Sequence, residues 1–259
     1  MIAVNGIGFW APGFAGLGAF RAGEADRDLT MPKCEVVTAR ARRGTSRIGR
    51  MLAEVTTQAA ADASVDLGAV PTVYASAWGE IDIMINLLGQ IADGDVGLSP
   101  LRFKHSVHNS ASGMVSIAAG NRTFSTALAA GRKTFEQGVL EALTYLTTTD
   151  ADHVILAVAE DRLPAPLDRF GEYEALAVAF CFGTDAREGA HGTLSFPKRT
   201  GEPFRPDLPE LYAENPTAFA LPVLDALANP EGAEGLALSA APRPFAIDVL
   251  SAEQSRTEP

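Results

Sequence analysis

Apolar residues in this chain follow two rhythms, and the alternation between them predicts an α/β fold. Near-continuous apolar runs at Ile2–Phe9 (IAVNGIGF), Val70–Ala75 (VPTVYA), Asp152–Glu160 (DHVILAVAE) and Glu174–Phe182 (EALAVAFCF) read as strands covered on both faces. Arg122–Ala127 (RTFSTA) reads as a further short, buried strand. Between them the spacing changes to that of a helix. From about Arg47 to Ala63, capped by Thr45 or Ser46, the residues Ile48, Met51, Leu52, Val55 and Ala59 share one face. From Ala129 to Leu146, Phe135, Val139, Leu143 and Leu146 do the same. Ile81–Leu88 is an apolar helix, with Trp78, Met84 and Ile85 expected in the core.

The resulting order is β-α-β-α-β-α-β-β over residues 1–183. Parallel strands crossed by helices and a last antiparallel strand at the edge are expected from it. Residues 184–259 predict less: a strand at Thr193–Phe196, a helix at Pro216–Ala228 and a strand at Phe245–Leu250. Pro197–Pro209 and the tail Ser251–Pro259 read as loose. They form a reduced C-terminal extension expected to pack on the same core.

Composition narrows the function classes. The chain has 259 residues, 47% of them hydrophobic, enough for a sizeable core. A net charge of −11 argues against nonspecific nucleic-acid binding. Cys34 and Cys181 are far apart and give no disulfide framework, and no Cys/His cluster has metal-ligand spacing. With no basic leader and no apolar span long enough for a bilayer, the sequence reads as cytoplasmic. Asn5-Gly6-Ile7-Gly8 lacks the third glycine of a dinucleotide fingerprint and is read as structural. His105 and His108 are three residues apart, on one face if helical, but two histidines without a third ligand make no metal site.

One stretch carries chemistry. Ser125-Thr126-Ala127-Leu128-Ala129-Ala130-Gly131 runs from a strand into a helix, where a side chain sits beside unpaired N–H groups at the positive end of the macrodipole. A cysteine there would be prone to form a thiolate. Together with Asn109-Ser110-Ala111-Ser112-Gly113-Met114-Val115-Ser116-Ile117 upstream, this segment resembles the nucleophile region of β-ketoacyl synthases, the condensing enzymes of the thiolase fold. The nucleophile position then holds Leu128, which has no lone pair to attack a thioester.

The resemblance implies a layered α-β-α, thiolase-like fold with a mixed, mostly parallel sheet and a truncated second half. Ala190-His191-Gly192-Thr193 matches the synthases' catalytic histidine motif in letters but not in position, and is read as a turn. By the same resemblance the chain is similar to a chain-length factor. It would be a non-catalytic partner of an active synthase in polyketide, aryl-polyene or fatty-acid-like biosynthesis. Phe124, Ser125, Thr126 and Ala127 would pair across the dimer, and Ile85, His108, Asn109 and Met114 would gate the acyl tunnel. Among the five arginines at 40, 42, 43, 47 and 50, Arg43, Arg47 and Arg50 would receive an acyl carrier protein. No cofactor is expected on the chain itself; the phosphopantetheine arm belongs to the carrier. Arg132 is expected to meet an acidic group on a neighbouring chain. Two other classes stay open at this point, an enzyme that decarboxylates a malonyl thioester and a plain carrier-docking scaffold.

Overall fold

The computed structural model describes residues 1–94, 97–199 and 201–255. In chain order its elements are β1 (Ile2–Trp10), α1 (Leu17–Ala22), α2 (Ala39–Arg42), α3 (Arg47–Asp62), β2 (Thr72–Ala75), α4 (Ile81–Ala92), α5 (Pro100–His105), α6 (Ser110–Ala119) and β3 (Ser125–Leu128). There follow α7 (Thr134–Thr148), β4 (His153–Glu160), β5 (Leu176–Gly183), β6 (Gly192–Leu194), β7 (Lys198–Arg199), α8 (Ala220–Ala228), β8 (Ala233–Ala237), β9 (Phe245–Ser251) and α9 (Ala252–Ser255). The sequence readings that fall on 95–96, 200 and 256–259 lie outside the described residues.

All nine strands join one mixed sheet, in the order β3-β2-β4-β5-β1-β6-β9-β7, with β8 also on β9. Register shows β6 and β7 end to end along one side of β9 and β8 along the other. The layered, mixed architecture is the expected one, but its balance is not. Only β2–β3 and β2–β4 pair in parallel, and every other pair is antiparallel. The cause is the position of β1. It inserts beside β5, so β5 is internal instead of closing an edge, and β6 and β9 extend the sheet past it.

Successive side chains of each strand feed two cores. On one face Phe9, Val73, Leu156, Val178, Phe180 and Val249 pack with α7 and α8. On the other Trp10, Tyr74, Ile155, Ala157, Ala177 and Cys181 pack with α3 and α6. Residues beyond 183, such as Leu194, Leu224 and Ile247, share the first core with Val4 and Leu143. Glu136 of α7, fully buried, ties the two stretches together by accepting from Ser239 Oγ at 2.7 Å and from Phe245 N at 3.0 Å.

Helix α3 starts where its cap dictates, with Ser46 Oγ accepting from Gly49 N at 3.0 Å. It lies unusually close to β1. A Cβ on Gly8 would stand 2.0 Å from Val55 O, and one on Gly6 2.3 Å from Ala59 O, so only glycine fits at either place. β6 covers only Ile2–Val4 of β1. Beyond it, Gln58 and Asp62 of α3 take over, accepting from Phe9 N at 2.9 Å and Ile7 N at 2.8 Å.

Candidate functional site

The carboxyl ends of β2, β3 and β4 meet at one place, where the chain leaves the sheet at Ser76, Leu128 and Glu160. Ser76 N donates to Leu128 O at 3.2 Å, which fixes these ends side by side. Leu128 is the last residue of β3, half-buried, and packs against the first core. After it comes a 3-10 turn at Gly131–Lys133, and α7 begins only at Thr134, later than the periodicity predicts. Thr134 is the reason: its hydroxyl donates to Gly131 O at 2.7 Å and accepts from Ala130 N at 3.1 Å, closing the turn before the helix starts.

β3 is an edge strand and is not buried as its composition suggests. Its residues are exposed or half-exposed, and Phe124 just before it stacks on Tyr145 with ring centroids 4.3 Å apart. Small polar residues suit such an edge, where one side of the backbone pairs with β2 and the other is open.

Glu160 is the residue that sequence reasoning missed. It is only 1% exposed, and its carboxylate accepts from Ala77 N at 2.6 Å, Trp78 N at 3.3 Å and Ser76 Oγ at 3.1 Å. Burial pushes its carboxyl up to about 8 despite those bonds. The turn it holds is completed by Gly79 N donating to Ser76 Oγ at 2.8 Å and by His108 Nε2 donating to Ser76 O at 2.8 Å. Gly79 has φ +55°, and a Cβ there would meet the His108 ring. Glu80 is buried beside it, with Oε2 unpartnered, and burial pushes it up to about 7. A glutamate closing an all-apolar strand was the available signal.

Arg47 sits inside this site. It pairs with Asp161 at 3.5 Å and lies over the Trp10 ring at 5.6 Å. Arg50 Nη2 donates to Arg42 O at 2.6 Å; of the three docking candidates Arg43 is exposed, and Arg47 and Arg50 are half-buried. With Arg102 of α5, Arg43 flanks a cleft of about 470 Å³. His105 ends α5 while His108 lies in the turn after it, so the pair does not share a helix face. Asn109 is exposed at the start of α6, whereas Met114 packs against the second core with its sulfur 3.2 Å from the donating Thr45 Oγ1.

Trp78 and Ile85 are half-buried and Met84 is exposed, contrary to the core expected for them. The helix that carries two of them, α4, does not lie on the sheet. Arg132 meets Glu214 of its own chain at 3.7 Å, not a neighbour. His191 lies at the other end of the sheet, immediately before β6 and not in a turn, with its N–H donating to Val4 O at 2.8 Å and its ring bonded to Asp62 at 2.6 Å. Cys34 and Cys181 are buried, which pushes their thiols up to about 11 and about 12. Neither is a poised nucleophile. Ser76, the hydroxyl beside Leu128, is buried and spent on Glu160 and Gly79.

Several large apolar side chains between β2 and β3 in the chain are exposed. Leu88 and Ile91 of α4 are each 55% exposed and Phe103 of α5 is 66% exposed, with Met84, Leu101, Val107, Ile117 and Phe124 also outside. Among the described residues, eight of the fourteen exposed large apolar residues fall between positions 84 and 124. Among the described residues no helix is long and apolar enough to cross a membrane.

Residues 20–203 match the family model of the β-ketoacyl synthase N-terminal domain. Among solved structures, the chain is similar to one from a ketosynthase (ApeO) in complex with its chain length factor (ApeC) from Xenorhabdus doucetiae, at 21% identity. That match covers 95% of this chain and 98% of the other, with a TM-score of 0.73. A second is a type II polyketide synthase acyl-carrier protein in complex with its ketosynthase bound to the hexaketide (AntDE:AntF), at 14% identity, 87% and 73% coverage and a TM-score of 0.61. The ishigamide ketosynthase/chain length factor matches at 16% identity, 71% and 62% coverage and a TM-score of 0.56. At these identities the likeness is one of fold, thiolase-like in each case. No curated protein sequence matches significantly.

Proposed function

Since this chain belongs to the β-ketoacyl synthase family through its N-terminal domain, we propose that it is a non-catalytic member, working as a chain-length-factor-like partner of an active β-ketoacyl synthase. One observation carries the reading. At the strand end where the resemblance puts the nucleophile stands Leu128, on an edge strand whose outer side is open and which the exposed Phe124 directly precedes. A side chain without a lone pair forms no acyl-enzyme, and an open strand edge is suited to a second chain.

Phe124, Ser125, Thr126 and Ala127 then continue the sheet into the synthase. Ile85 and Asn109, on the outer side, reach the shared tunnel in which the acyl chain grows; His108 and Met114 support them from within. Extension stops when the next two-carbon unit must overlap side-chain atoms, an overpacking that costs about 1–3 kcal/mol. The acyl carrier protein, carrying its phosphopantetheine arm, is received at the arginines that open α3. Arg43 makes the outer contact, while Arg47 and Arg50 hold the shape of that corner. The products are polyketide, aryl-polyene or fatty-acid-like chains.

The test is reconstitution with an active β-ketoacyl synthase that co-purifies with this chain. Condensation should need both proteins, and Ile85→Ala in this chain should lengthen the products without abolishing turnover. A synthase that gives the same products at the same rate without this chain would overturn the reading.

A further inference from the structure

The cleft between the head of α3 and helices α4 and α5 carries chemistry that the strand ends do not use. It holds about 470 Å³, within the range of small-molecule sites. Three arginines from three places in the chain line it: Arg43 before α3, Arg47 in the first turn of α3 and Arg102 in α5. Arg47 is already paired with Asp161 at 3.5 Å. Arg43 and Arg102 are exposed, and among the described residues neither guanidinium has a carboxylate within ion-pair distance or a hydrogen-bond acceptor.

This placement does not serve the helix. Cations at the start of α3 oppose its dipole, and no acidic residue stands in its first turn to offset them. Among the described residues the cleft lining holds one carboxylate, Asp82 at the head of α4, so positive charge prevails there. A single guanidinium fork satisfies both oxygens of a carboxylate. Guanidinium groups brought to one cleft from separate elements suit an anion with more oxygens to share, and phosphate is that anion. The cleft is also larger than a phosphate needs. Ile83 and Leu101 give it apolar wall, and Asn86 and Ser99 neutral polar wall, so there is room for the body of the molecule that bears the phosphate.

We infer that this cleft binds a small, soluble phosphate ester, its phosphate held by Arg43 and Arg102 with the charge of Arg47 in support, and its uncharged part against Ile83 and Leu101. The site belongs to the isolated chain and does not rest on the partner reading above. A carrier protein received at Arg43 and a free ester in the cleft are distinct occupants, and the test contains no carrier.

Isothermal titration of the isolated full-length chain tests it, with inorganic phosphate, 4′-phosphopantetheine and pantetheine as probes. Phosphopantetheine should bind at one site per chain, inorganic phosphate more weakly, and pantetheine, which lacks the phosphate, not detectably. Arg43→Gln and Arg102→Gln should each weaken phosphopantetheine binding roughly ten- to a hundredfold, the loss expected for a charge-assisted hydrogen bond. Both side chains are exposed and unpartnered, so the unfolding midpoints of these variants without ligand should match the parent's. Arg199→Gln, on β7 at the opposite edge of the sheet, should leave binding unchanged. Asp82→Asn, which removes the carboxylate from the lining, should tighten it. No binding of phosphopantetheine at millimolar concentration, pantetheine bound as tightly, an affinity untouched by both arginine substitutions, or weaker binding in Asp82→Asn would overturn the inference.

Discussion

Ser125→Pro is the sharpest perturbation of the proposed interface. Thr72 N donates to Phe124 O and Ser76 N to Leu128 O, at 3.0 and 3.2 Å. In a parallel pair this places the backbone groups of the even-numbered β3 residues toward β2, so those of Ser125 and Ala127 point to the open edge. Proline at the first residue of an edge strand spares the internal ladder. Within the fold it costs only the side-chain bond from Thr72 Oγ1 to Ser125 Oγ, about 1 kcal/mol. Across a docked strand it removes one donor, about 1 kcal/mol net, and leaves the facing carbonyl buried and unpaired, about 1–3 kcal/mol more. Together about 2–4 kcal/mol corresponds to roughly 30- to 800-fold weaker association. Native mass spectrometry across a dilution series of the co-purified pair measures this, with thermal unfolding of the isolated variant as the control for folding. A Ser125→Pro chain that folds and associates as tightly as the parent would refute edge-strand docking.

Other outcomes follow from the same geometry. Gly8→Ala should lower stability by about 3 kcal/mol or more, roughly 6–12 °C in Tm, because the new Cβ must displace the α3 backbone; an unchanged Tm would contradict the close packing. Glu160 and Glu80 have folded-state pKa values of about 8 and about 7, above the ordinary carboxylate range, so the folded chain binds more protons than the unfolded one between pH 5 and 8. Their contribution to stability is therefore fully present at low pH and is lost as pH rises through that window. Denaturant midpoints should fall accordingly, and less steeply in Glu160→Gln. Leu128→Cys should not create condensation activity in the isolated chain when assayed with malonyl and acyl carrier thioesters, since a thiol alone lacks the histidines of the family's second half.

Much of the fold was legible because burial and period agree. Ile2–Trp10, Arg47–Asp62, His153–Glu160 and Leu176–Gly183 lie within two residues of the stretches that pattern and capping mark out. Gly6 and Gly8, too few for a phosphate fingerprint, answer to the approach of α3. What pattern could not give was the neighbour of each strand. β1 pairs with β5 across more than 160 residues of chain, and nothing local in Ile2–Trp10 encodes that choice. Apolar content also misled for α4 and β3, because apolar residues left at the surface follow the same pattern as core residues. Glu160 went unread for a different reason: an acid closing an apolar strand looks like an ordinary strand end until the turn it holds is visible.

The central claim is that this chain shapes an acyl transfer it cannot perform, and intact-protein mass spectrometry of the pair tests it most directly. After the co-purified synthase and this chain are mixed with acyl carrier thioester and quenched, the acyl mass should appear on the synthase alone. A covalent acyl adduct on this chain, in the pair or in isolation, would contradict the account.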